Sequence, residues 1–102
     1  MKVIAEIVKD IREEMEGAEH YAKKATQYKE QDRRLADTFA TMATQELGHV
    51  DALHKQVVRL IEEQKEAGHE VPPGMRSVWD WEHENMVEHV AKIKMLMEIY
   101  NK

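Results

Sequence analysis

The sequence predicts an all-α protein, built from an antiparallel helical hairpin followed by a third helix. Helix-breaking residues are rare, since the 102 residues include only 2 prolines and 4 glycines. Apolar side chains recur at alternating steps of three and four, the spacing that places them on one face of a helix. The chain has no cysteine, which excludes a disulfide framework, a zinc ribbon and an iron–sulfur site held by thiolates.

Charge and hydropathy limit the partners that the chain can have. The formal net charge is −5 and the basic residues are spread among acidic ones, which does not indicate a nucleic-acid surface. No stretch approaches the roughly 20 apolar residues of a membrane span, and the N-terminus lacks the apolar run of a signal peptide. We therefore expect a cytoplasmic protein that binds neither nucleic acid nor membrane.

The first predicted helix covers about 3–29, and its apolar stripe is interrupted by Glu14. The other members of the stripe are Ile7, Ile11, Ala18, Tyr21, Ala25 and Tyr28. Its two tyrosines are either core aromatics or members of a radical relay. A weak break at 30–32, with Asp32 as the N-cap of the next helix, makes the first two helices antiparallel neighbours.

The second predicted helix covers about 33–67 and carries a heptad seam with Glu46 and His49 at its centre. The remaining members of the seam are Leu35, Phe39, Met42, Leu53, Gln56 and Leu60. Burying a lone ionisable group costs several kcal/mol, so we expect a partner group to meet this pair on the buried face. Gly68 is expected to end the helix as its C′ residue.

A loop at 68–76 precedes the third predicted helix, at about 77–101. Ser77 and Asp80 have the spacing of a capping box. Near the helix start lie Glu82, His83 and His89. These residues are either a polar first turn with one core histidine, or ligands of a second metal site or of the first.

Counting from the turn between the first two helices places three polar residues at one level. Glu14 lies 17 positions before Gln31, whereas Glu46 and His49 lie 15 and 18 positions after it. At about 1.5 Å per residue, all three fall within roughly one helical turn of the same level. Glutamate facing Glu-x-x-His is a ligand set of carboxylate-bridged di-iron sites in helix bundles. The alternative is a buried salt-bridged triad that only sets helix register.

The complete di-iron arrangement needs two copies of Glu plus Glu-x-x-His, and this chain has only one, ending at His49. A second subunit would have to supply the other copy. The sequence therefore predicts a site that straddles a two-fold axis in a homo-oligomer, at least a dimer.

Two stretches resemble the helix motifs of a known family. Glu14 is followed seven residues later by Tyr21, and the run 39–49 has an aromatic residue seven positions before Glu46 and His49 three positions after it. These patterns resemble the first-helix and second-helix signatures of the ferritin-like superfamily, in particular its rubrerythrin-like and encapsulated-ferritin-like branches. The resemblance covers roughly the first 60 residues.

The resemblance implies a ferritin-like, four-helix-type bundle that is completed by dimerisation. It implies that Glu14, Glu46 and His49 of each chain are ligands of a di-iron site and carry its catalysis. Glu13 and Glu16 would lie on the path by which metal reaches that site.

Three functions follow as expectations. The first is oxidation of Fe²⁺ by dioxygen or peroxide, as a ferroxidase or a peroxide-reducing enzyme, with zinc or manganese as other metals that the site could take. The second is a non-catalytic self-association module, in which buried Glu and His set helix register and Trp79 and Trp81 mediate contacts. The third is a structural zinc site.

Overall fold

The computed structural model describes residues 2–69 and 73–102, which form three helices. They are α1 (Lys2–Tyr28), α2 (Arg33–Glu66) and α3 (Pro73–Asn101). The described residues contain no strand, so the all-α prediction is confirmed. Over the length that a bilayer requires, none of these helices is hydrophobic enough to span a membrane.

The ends of α2 lie where the sequence places them. The N-cap Asp32 is extended, with φ −152° and ψ 91°, and its side chain accepts a hydrogen bond from the Leu35 backbone N–H at 3.1 Å. At the other end Gly68 has φ 81°, a left-handed conformation that glycine adopts without a Cβ penalty. Its N–H donates to the carbonyl of Lys65 at 3.0 Å. Both end signals are therefore confirmed.

The third helix starts earlier than predicted. It begins at Pro73, so Ser77 and Asp80 lie inside α3 rather than at its N-terminus. Proline suits a first helical turn. Backbone N–H groups have no intrahelical acceptor there, so the lack of one costs nothing, and the ring holds φ near the helical value. The predicted loop at 68–76 is correspondingly shortened, and its positions 70–72 lie outside the described residues.

The helix α1 packs against both other helices, more extensively against α2 than against α3. Small side chains allow α1 and α2 to approach closely around the middle of the hairpin and its turn. These fully buried alanines are Ala18, Ala22, Ala25, Ala36 and Ala43. Towards the other end of the bundle, larger apolar residues from all three helices form the core, including Ile11, Val50 and Met86. The helices α2 and α3 approach each other less closely.

The heptad seam of α2 is not the buried stripe of the single chain, which corrects the expectation for Glu46 and His49. The fully buried residues of α2 are Ala36, Ala43, Val50 and Val57, which form an adjacent stripe with a strict seven-residue step. In the seam, Glu46 is half-buried and His49 is exposed. We attribute this rotation of α2 to its small residues, which allow the closest approach to α1 and leave the larger seam residues at the edge of the contact.

Candidate metal site

Glu14 of α1 converges with Glu46 and His49 of α2. Each side chain offers one ligand atom, and these three atoms all lie within 4.8 Å of one another. The Nδ1 atom of His49 lies 3.3 Å from Oε2 of Glu14. The predicted common level of the three residues is therefore confirmed. Within residues 2–69 and 73–102, no other group of three His or carboxylate side chains converges in this way.

The two carboxyl groups interact strongly with each other. A hydrogen bond from Glu46 is the main cause that lowers the pKa of Glu14, and the same bond, together with burial, raises the pKa of Glu46. His49 lowers the pKa of Glu14 further. Two charged carboxylates at this spacing therefore disfavour each other. A divalent cation could relieve that repulsion, because it neutralises both carboxylates at once.

Gly17 makes room for the carboxylate of Glu46. A Cβ atom at position 17 would lie 3.3 Å from Oε2 of Glu46, which is closer than ordinary van der Waals contact. A glycine inside a helix costs about 1 kcal/mol, and close approach by another helix is the explanation that the sequence suggests for it. The structure offers no such explanation for Gly48, because no atom lies within 4 Å of a Cβ built there.

The site opens on the side of the hairpin away from α3. The side chain of His49 is 60% exposed and that of Glu14 is 30% exposed. Glu19, which contacts α3, lies five residues after Glu14 and hence about 140° further around α1. The candidate ligand atoms therefore point towards a face that α3 does not cover.

Two of the predicted residues on α3 hold that helix against α1 instead of reaching the site. The buried carboxylate of Glu82 pairs with the guanidinium of Arg12. The Nε2 atom of His89 lies 2.8 Å from Oε2 of Glu19, and Nζ of Lys92 lies 2.7 Å from Oε1 of the same residue. Hydrogen bonds from Lys92 first, and then from His89, lower the pKa of Glu19 to about 2.

The other predicted residues also lie apart from the three converging groups. His83 packs against His54 and Trp79 on the opposite side of α2. Glu13 and Glu16 are exposed on the outer surface of α1, where Oε1 of Glu13 lies 3.9 Å from Nζ of Lys9.

Aromatic rings continue from the site towards the turn of the hairpin. The ring of Phe39 stacks between those of Tyr21 and Tyr28, with centroid distances of 6.0 Å and 6.1 Å. All three rings are half-buried. Together with Glu14 and Glu46, they give this side of the hairpin a mixed surface of aromatic and acidic side chains.

Comparison of the chain with protein-family models, with curated proteins and with solved structures gives no match. The chemistry of the three converging groups is therefore the main basis for a function. Two carboxylates and one imidazole form a donor set that fits a first-row divalent metal such as Fe²⁺, Mn²⁺ or Zn²⁺.

Proposed function

We propose that the protein oxidises Fe²⁺ with dioxygen or peroxide at a di-iron carboxylate site. Each of two chains would supply Glu14, Glu46 and His49. The observation that carries this proposal is the convergence of two carboxylates and one imidazole, whose ligand atoms all lie within 4.8 Å of one another. The resemblance of the first two helices to ferritin-like motifs agrees with it.

The donor set accounts for the choice of metal. Carboxylate oxygens suit hard cations and imidazole nitrogen suits iron as well as zinc. Each Fe²⁺ ion can give up one electron. Two adjacent ions could therefore reduce dioxygen to hydrogen peroxide, or hydrogen peroxide to water, with the uptake of two protons.

The residues of the chain would have distinct tasks in binding. Protonation of Glu46 competes with the cation, because a protonated carboxyl group is a poor ligand and its pKa is raised by Glu14 and by burial. Glu14 is already favoured in its charged form, so it presents a negative charge to the incoming ion. His49, the most exposed of the three, offers Nδ1 close to Glu14.

The second chain is part of the proposal because one chain surrounds only one side of a cation. We define the site face as the three ligands and the half-buried or exposed apolar residues around them. These are Tyr21, Tyr28, Leu35, Phe39, Met42, Leu53 and Leu60. A second copy packed on this face about a two-fold axis would add the missing Glu and Glu-x-x-His. It would also cover these apolar side chains.

A second candidate function is structural. The contact between His49 and Glu14, and the hydrogen bond between Glu14 and Glu46, already link α1 to α2 without a metal. The triad could set helix register in a non-catalytic self-association module, or hold a structural zinc ion. Exposed apolar residues on α3, such as Trp81 at 61% exposure and Met95 at 55%, favour some form of association.

Addition of iron to the metal-free protein separates these functions. Fe²⁺ is added without oxygen and the bound iron is counted, and oxygen is then admitted while near-ultraviolet absorption is followed. The proposal predicts about one iron per chain and a growing ferric absorption. Glu46→Gln should lose both, whereas Glu62→Gln, at an exposed position of α2, should keep both. Tight zinc binding without iron oxidation would support the structural site instead.

A further inference from the structure

Three aromatic rings from two helices form a cluster on the other side of α2. His54 of α2 lies against Trp79 and His83 of α3, with ring centroids 6.0 Å and 5.1 Å away, and the last two rings are 5.7 Å apart. His54 follows His49 by five residues and therefore lies about 140° around α2 from it. The cluster is thus separate from the site face.

One nitrogen of the cluster has no partner. The Nε2 atom of His54 is covered from solvent and makes no hydrogen bond to the described residues. Buried nitrogens of this kind are rare in native proteins, and a bound ion or water is a common reason for them. Burial, with a contribution from His83, lowers the pKa of His54, so burial favours the neutral imidazole that metals bind.

The spacing of the two imidazoles fits a shared ion. Zinc bonds imidazole nitrogen at about 2.0–2.1 Å, so two rings that share one ion have their centroids roughly 4.5–6 Å apart once the size of each ring is added. The observed distance of 5.1 Å lies in that range, and the two ring planes stack at 28° to each other. The terminal torsion of histidine has a broad energy well, so the rings can rotate to turn one nitrogen of each towards the same ion.

We propose that His54 and His83 bind one divalent cation that prefers imidazole ligands, of the zinc, nickel or copper type. The two rings supply the protein ligands, and the ion keeps some of its own water ligands. Asp51 lies three residues before His54 on the same side of α2, and both line the groove between α2 and α3. Its carboxylate offsets part of the charge of the cation.

The cation links two helices that otherwise pack mainly through α1. A groove of about 400 Å³ lies between α2 and α3, lined by apolar residues such as Val50, Met86 and Val90 and by His54. His54 lines this groove, and an ion held by His54 and His83 joins α2 to α3 beside it. Metal binding here therefore fixes α3 against the hairpin.

Fluorescence of Trp79 reports on this site directly. The parent protein for the test carries Glu46→Gln, which removes a ligand of the other site, and Trp81→Phe, which leaves Trp79 as the single tryptophan. Titration with Ni²⁺ is expected to quench Trp79 and to saturate at about one ion per chain. His54→Phe and His83→Phe should each weaken binding at least tenfold. Phenylalanine keeps a ring in the cluster, and circular dichroism checks that the helices remain.

His20→Phe is the matched control, since His20 is an exposed histidine on α1 that packs edge-on against Tyr21. It should leave Ni²⁺ affinity unchanged. As a second measurement, saturating Ni²⁺ should raise the melting temperature of the parent by roughly 5 °C and should not raise that of His54→Phe. The proposal is overturned if either cluster variant binds Ni²⁺ as tightly as the parent, or if the parent binds none. Because Glu46 is absent throughout, a failure of iron oxidation has no bearing on this result.

Discussion

Glu14 and Glu46 shift each other's pKa in opposite directions across the contact between α1 and α2. The shared hydrogen bond favours a charged Glu14 and a protonated Glu46. It is therefore unfavourable for both carboxylates to be charged together in the absence of a cation. The protein can therefore fold without metal, and a bound cation should stabilise the pair. This leads to the first prediction.

Glu46→Ala should abolish iron oxidation and leave the metal-free protein as stable as the original or more so. The substitution removes a half-buried carboxyl group whose charged form is disfavoured beside Glu14. Urea denaturation of the metal-free proteins and an oxygen-dependent absorption assay give the two readouts. A loss of stability of about 3 kcal/mol or more would instead indicate a triad that sets helix register.

Gly17→Ala should slow iron oxidation, because the new methyl group would lie 3.3 Å from Oε2 of Glu46 and displace that carboxylate by a few tenths of an ångström. The initial rate of ferric absorption measures the effect. The stability of the metal-free variant should change little, since the helix propensity gained from alanine, about 1 kcal/mol, is offset by the tight contact.

Gly48→Ala is the matched control, since its Cβ would meet no atom within 4 Å. It should raise the free energy of unfolding by about 0.5–1 kcal/mol and leave the oxidation rate unchanged. Equal oxidation rates in the two alanine variants would show that Gly17 does not position Glu46.

Glu19→Gln should flatten the acid side of the stability profile. The pKa of Glu19 is about 2 in the folded chain, against an ordinary value of 4.5. A lowered pKa stabilises the fold above the unfolded pKa, and this stabilisation is lost as pH falls from about 4.5 to 2. For this partly exposed group the contribution is on the order of 1–3 kcal/mol after solvent screening.

Urea denaturation at several pH values between 2 and 7 tests this, with Glu88→Gln as the control because Glu88 is an exposed carboxylate on the neighbouring surface of α3. Only Glu19→Gln should lose part of the pH dependence. If both variants behave alike, the cluster around Glu19 does not fasten α3 to α1.

Leu35→Glu should weaken the proposed dimer, and Val58→Glu should not. Both side chains are 38% exposed on α2, so the two substitutions are matched in accessibility. Leu35 precedes Glu46 by three turns on the same side of the helix, whereas Val58 lies about 120° away. Sedimentation at several protein concentrations measures how strongly each variant dimerises. Iron oxidation is then measured after dilution to the monomer. An active monomer would contradict a site shared between chains.

The common level of Glu14, Glu46 and His49 could be predicted from sequence, because the rise of a helix is fixed and the hairpin turn is short. The helix ends at Asp32 and Gly68 could be predicted because each satisfies a local geometric requirement. These features depend on neighbours in the chain and on one short connection. They require no knowledge of how the helices rotate about their axes.

The rotation of α2 could not be predicted in the same way. Leu35 and Leu53 form a conspicuous apolar seam, yet Ala43 and Val57 of the next stripe occupy the contact with α1 in the single chain. The pairing of side chains between α1 and α3 could not be predicted from the sequence either. Whether Glu82 meets a metal or Arg12 depends on which flank of α1 receives α3, and spacing within one helix carries no information on that choice.

Diffraction from a crystal soaked anaerobically in Fe²⁺, collected at the iron absorption edge, tests the proposed function most directly. We expect an anomalous peak within bonding distance of Glu14, Glu46 and His49, and a second peak roughly 3.5–4 Å away across a two-fold axis. A crystal that holds iron elsewhere, or none at these three side chains, would contradict a di-iron site.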